Sequence, residues 1–195
     1  MSDPREMIGL LAAGCPSLES AGITSARGDA RQMLAGAMAA IRPAWAADLL
    51  LARYADDMAA RGRTVYGVMV EAARWYQPKR GLPKYGLPAL VRVALDEHIS
   101  PPACEVCAGT GRAWALEHGA LRQTDCRSCR NGRVQHDKTA REERMQACRA
   151  SWDKVDAPMP WSVYGADYLR VLSLLTSVER GAVDTLREQL VALAA

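Results

Sequence analysis

The sequence predicts an all-α fold, a helical domain interrupted once by a short inserted ribbon. Apolar residues recur at three- and four-residue intervals along most of the 195 residues, with breaks at Pro and Gly. Between residues 102 and 133 that pattern gives way to two cysteine pairs, Cys104 with Cys107 and Cys126 with Cys129, among glycines and short polar runs. Composition, 49% hydrophobic and 24% charged, is that of a soluble chain long enough to bury a real core. It contains no internal repeat and no low-complexity tract.

Asp3 before Pro4 predicts the start of a first short helix, and Gly14 with Pro16 its end. Pro16 to Ser25 reads as a linker. Met33, Leu34, Ala37, Met38 and Ile41 then share a helical face up to Pro43. A second helix is expected from Ala44, with Trp45, Leu49, Ala52, Ala55 and Ala59 in register and Gly62 as its stop. Thr64 is expected to cap a third, through Val68, Ala72 and Trp75 to Pro78. Gln77 to Gly86, rich in Pro, Gly and basic residues, predicts a loop exposing Lys79, Arg80 and Lys84. Pro88 opens a helix on Leu87, Val91 and Leu95 that ends near Ile99, before Pro101 and Pro102. The expected division is an N-terminal helical region, residues 1–77, and a second region, 78–195, holding the ribbon (102–133) and the C-terminal helices.

Each cysteine pair has two intervening residues, and 18 residues, Ala108 to Asp125, separate the pairs. This spacing fits a four-thiolate zinc site, because a tight turn can aim two sulfurs at one ion about 2.3 Å away in tetrahedral geometry. Four protein ligands leave no open position, so the expected cofactor is one structural Zn2+ per chain that contributes folding energy. Gly109, Gly111 and Gly132 stand where the chain must double back. The competing readings are two disulfides or a redox pair. The first residues, with Arg5, Glu6 and only a short apolar run before Cys15, suit neither a secretory signal nor a membrane span, and a reducing cytoplasm is expected. Cys15 and Cys148 read as small buried residues in helices.

Beyond the ribbon, Thr139 and Glu142 form a capping-box pattern, which predicts a helix from Ala140 to about Trp152. At about 100° per residue, Arg141, Arg144, Met145, Cys148 and Trp152 share one face, basic at its start and apolar beyond. Two readings fit. One is a recognition helix in a helix-turn-helix-like unit, entering a major groove; the other is a surface helix that pairs its arginines with local carboxylates. After a turn-like break at Val155 to Pro160, Trp161, Tyr164, Tyr168, Val171, Leu172, Leu175 and Val178 form a helical stripe. A second capping-box pattern, Thr176 with Glu179, predicts a separate last helix carrying Val183, Leu186, Leu190 and Leu193.

The formal net charge is +3, unevenly spread. Residues 1–60 hold 5 basic and 7 acidic side chains, 61–154 hold 17 and 10, and 155–195 hold 3 and 5. The excess of positive charge falls around the ribbon, as in a nucleic-acid-facing module with acidic flanks. No phosphate-binding loop is present, Trp114 stands where a dinucleotide fingerprint needs a third glycine, and His98, His118 and His136 lie outside any metalloprotease pattern. No catalytic constellation emerges, and an enzyme is not expected.

The segment Cys104-Glu-Val-Cys107-Ala-Gly-Thr-Gly-Arg-Ala113, followed by Cys126-Arg-Ser-Cys129-Arg130, resembles the zinc motif of the lambdoid phage late antitermination protein Q family. The helices on either side and the Pro160-Trp161-Ser162 segment leading to Tyr168 and Leu172 agree with that order of elements. The likeness runs from about Leu87 to the C-terminus. It departs at Asn131-Gly132, where two spaced glycines are expected, and in a slightly shorter interval from Trp161 to Tyr168. The resemblance implies a factor that binds double-stranded DNA at a late promoter and engages bacterial RNA polymerase with its sigma factor, so that the enzyme reads through terminators. No membrane and no small-molecule substrate is implied. The residues expected at DNA are Arg127, Arg130, Arg133, Lys138, Arg141 and Arg144. The first knuckle is also similar to the cysteine-rich region of DnaJ-type chaperones, which would imply a protein-interaction module. That region uses four such repeats where this chain has two. A zinc-containing DNA-binding regulator without antitermination activity is the third reading.

Overall fold

The computed structural model describes residues 8, 24–76, 86–101, 103–108, 110–117, 120–129, 132–150 and 160–194. These residues are predominantly helical, as the periodicity predicts. Their elements are α1 (Thr24–Ala39), α2 (Ala44–Tyr54), α3 (Met58–Ala73), α4 (Gly86–Ile99), β1 (Arg112–Glu117), β2 (Ala120–Asp125), α5 (Lys138–Ala150) and α6 (Trp161–Ala194). The first short helix and the linker fall outside the described residues, apart from helical, buried Ile8 and from Thr24 and Ser25, which open α1 instead of ending the linker. The loop with Lys79, Arg80 and Lys84 lies outside them as well.

The chain forms two compact units. The first comprises residues 1–80 and 167–195, and the second 81–166. The expected division put the whole C-terminal helix with the ribbon. From Asp167 onward α6 instead belongs to the first unit, because its apolar stripe packs with α1 and α2. Ala37, Ile41, Ala46, Leu50, Ala182, Val183 and Leu186 form that core with Ile8, and Leu34, Met38, Tyr54 and Leu190 close around it. Burying each large aliphatic side chain contributes about 1.5–3 kcal/mol. Glu179 sits within the same unit at 7% exposure. It accepts from Arg53 Nη1 at 2.5 Å and from the Tyr54 hydroxyl, so its charge is compensated.

Several boundaries differ from expectation. The single helix predicted from Ala44 to Gly62 is broken at Ala55–Asp57, where Asp56 takes a left-handed φ of 52°. Asp57 then caps α3, its Oδ1 accepting from the amides of Ala59 at 2.8 Å and Ala60 at 2.9 Å. Thr64 is therefore interior to α3, where its hydroxyl donates to the Ala60 carbonyl at 2.9 Å. Close packing of α2 on α3 depends on Gly67, since a Cβ there would lie 2.3 Å from Trp45 Cγ.

The break predicted near Thr176 is also absent, and α6 runs through 34 residues. Thr176 donates its hydroxyl to Leu172 O at 2.9 Å, a bond available only inside a continuing helix. Glu179, the other half of the expected capping box, is committed to Arg53 and Tyr54. Residues 161–166 of α6 belong to the second unit and the rest to the first.

In the second unit α4 packs on α5, and the β1–β2 hairpin lies between them in sequence. Its antiparallel register pairs Arg112 with Asp125, Trp114 with Gln123, Leu116 with Leu121 and Glu117 with Ala120.

Candidate metal centre and flanking helices

The two cysteine pairs stand at the open end of the hairpin, one before β1 and one after β2. Their loops bind each other through the backbone. Cys104 N donates to Gly132 O at 2.7 Å, Cys126 N donates to Gly111 O at 2.8 Å, and Ala103 bridges Arg133. Each loop turns back on a glycine of positive φ, Gly111 at 76° and Gly132 at 81°, conformations that cost an L side chain. Thr110 N donates to Cys107 O at 3.0 Å, and Gly111 N donates to Cys107 Sγ at 3.3 Å. The first loop therefore directs an amide at the sulfur it presents.

These turns bring Cys104, Cys107, Cys126 and Cys129 together, with all four Sγ atoms within 4.8 Å of one another. Cys104 Sγ lies 3.9 Å from Cys126 Sγ, and Cys107 Sγ 3.6 Å from Cys129 Sγ. A tetrahedron with metal–sulfur bonds of about 2.3 Å requires sulfur separations of about 3.8 Å, and the two spacings bracket that value. A disulfide requires about 2.05 Å, so the cysteines are free thiols here and the disulfide reading does not hold. Cys104, Cys107 and Cys126 are buried and Cys129 half-buried, with Val134 packed against them. The four are arranged to bind a metal ion.

Crowding against its neighbouring thiols suppresses the ionisation of Cys129 when no cation is close. Loss of hydration, followed by hydrogen bonds with Cys107 and Cys126, pushes the Cys129 thiol up to about 12. A bound cation reverses this by favouring the thiolate, so loading releases protons and weakens as pH falls.

The described DNA-contact candidates fall into two groups. Arg127, Arg133 and Lys138 are exposed. Arg133 Nη1 also donates to Pro101 O at 3.4 Å. Arg130 lies outside the described residues.

Arg141 requires a correction. Periodicity placed it at the basic start of a face that is apolar beyond, as a candidate DNA contact, yet it is 7% exposed and turned toward α4. Its Nε and Nη2 bond both carboxylate oxygens of Glu97 at 2.9 and 2.6 Å. Its guanidinium lies 5.6 Å from the Trp161 ring centroid. Glu97, only 3% exposed, needs a buried cation, and Arg141 is the cation on the facing helix. Arg141 thus joins α4, α5 and the start of α6 rather than offering a base contact.

The start of α5 differs from the expected capping box. Asp137 caps it, with Oδ1 accepting from Ala140 N at 2.7 Å, and the helix begins at Lys138. Glu142, expected to fold back within α5, accepts from Trp161 N at 2.7 Å and so caps α6 across the unit. The Trp161 ring stacks edge-on against Tyr164, centroids 5.4 Å apart. Gly165 is required beneath it, since a Cβ there would lie 2.4 Å from Trp161 Cε2.

Arg144 is half-buried, with Nη1 3.0 Å from His136 Nε2. Guanidinium only donates, so the ring nitrogen accepts and His136 is neutral with its proton on Nδ1. Burial and then the Arg144 charge lower the His136 pKa below 6.5. Arg144 also borders a cleft of about 310 Å³ with Arg92, Val93, Asp96, Ala147 and Cys148. Burial raises the Cys148 thiol pKa, and the nearby Arg92 charge opposes that shift. Sequence reasoning missed Glu97, Arg92 and Asp96. An acidic residue on an otherwise apolar helix face was the available sign for Glu97.

No protein-family model and no curated protein matches the chain. The described residues contain no helix long and apolar enough to cross a membrane.

Proposed function

We propose that this chain is a zinc-dependent transcription antitermination factor of the Q type. It binds double-stranded DNA at a late promoter, engages RNA polymerase with its sigma factor, and makes the enzyme read through terminators. The observation that carries the reading is the four-thiolate cluster at the base of a hairpin set between two helices that pack on one another. This is the order of elements on which the resemblance to that family rests. Zinc suits the site because four thiolates close its coordination sphere and the ion then ties the two loops together without reacting.

Charge supports the nucleic-acid partner. Arg127, Arg133 and Lys138 are exposed on or beside the second cysteine loop, and Arg144 follows on α5. Their sequence segment holds the chain's basic excess. Such residues bind duplex mainly through phosphate, with a smaller number of contacts to base edges setting specificity. The protein performs no bond chemistry in this function.

The test is transcription by a purified polymerase on a template with the cognate late promoter and a distant intrinsic terminator. Adding the zinc-loaded protein should raise the fraction of transcripts that pass the terminator, only when the promoter-proximal site lies in cis. A rise in initiation with an unchanged terminated fraction would make it a DNA-binding regulator of another kind.

A further inference from the structure

We propose that the cleft between α4 and α5 seats one phosphate of a nucleic-acid backbone, held by Arg92 and Arg144. The inference rests on the DNA-binding part of the proposed function and assigns it a place on the surface. Glu97 near the end of α4 meets Arg141 near the start of α5, whereas Arg92, one turn and more earlier on α4, shares the cleft with Cys148. The helices are therefore antiparallel at this contact, and Arg92 and Arg144 approach the cleft from opposite walls.

Neither arginine is neutralised by a carboxylate in an ion pair among the described residues. Arg92 is exposed, and Arg144 spends one N–H on the neutral ring of His136. That bond orients the fork without cancelling its charge and leaves further N–H donors for an anion. Val93 and Ala147 add apolar surface to the cleft between the two guanidinium groups. Asp96 also borders the cleft, leaving its three charged side chains with a single net positive charge. That balance suits one backbone phosphate rather than a polyphosphate. A phosphate seat is independent of base sequence, so it places the protein on the duplex without selecting the site.

The test measures binding of the zinc-loaded full chain to a fluorescent duplex of random sequence across a salt series. Arg92→Ala should reduce the slope of log affinity against log salt by about 1, and Arg144→Ala should do the same. Arg92→Lys should retain the slope, because it keeps the charge. Arg187→Ala, which removes an exposed arginine paired with Asp184 in the first unit, should match wild type. A wild-type slope in Arg92→Ala would overturn the phosphate seat while leaving DNA binding in place. Failure of the wild-type protein to bind any duplex would overturn the DNA-binding reading and the seat with it.

Discussion

Arg141 and Glu97 face each other as a bidentate pair, with bonds of 2.9 and 2.6 Å and side chains only 9% and 3% exposed. The pair ties α5 to α4. Arg141→Ala leaves a buried carboxylate without its cation and should lower unfolding free energy by about 3–5 kcal/mol. Chemical denaturation measures it. A loss below about 1 kcal/mol, the range of exposed pairs, would mean the carboxylate is solvated. Any loss of DNA binding in this variant should accompany loss of fold.

Glu142 is the cap of a helix other than its own. Glu142→Ala should destabilise the protein by about 1 kcal/mol, because the Trp161 amide loses its acceptor at the start of α6. Asp57→Ala should cost a similar amount by removing the acceptor for Ala59 and Ala60. Thermal or urea melts of the two variants check both, and no loss in either would contradict the assigned caps.

Helix existence was legible in this sequence, as was the end of α4 at Ile99, but several other helix boundaries were not. Thr139–Glu142 and Thr176–Glu179 have capping-box spacing, yet in both cases the acidic residue answers to a partner distant in sequence. Glu142 caps Trp161, 19 residues away, and Glu179 meets Arg53, 126 residues away. A local pattern cannot reveal such a claim on a side chain. The cysteine cluster was readable because the geometry of a four-ligand site imposes short spacings within each pair. The role of Arg141 was unreadable without Glu97 opposite it, since periodicity finds a face but not what covers it.

His136 supplies a pH test. Its folded pKa is lowered, first by burial and then by Arg144, so the unfolded chain binds a proton more readily. Its contribution to stability is therefore fully present above the unfolded value of 6.5 and is lost as pH falls through the lower folded value. The His136 ring resonance should titrate below 6.5 by NMR, and Arg144→Ala should move the midpoint upward. A midpoint at or above 6.5 in the wild type would contradict the neutral, hydrogen-bonded ring.

The four-thiolate centre is tested most directly by elemental analysis combined with thiol titration. The account predicts one zinc per chain and protection of four of the six cysteines. A chelator should expose Cys104, Cys107, Cys126 and Cys129 together and lower the melting temperature, and Cys126→Ser should reproduce that loss. Protein that carries no stoichiometric metal, or that melts identically before and after chelation, would contradict it.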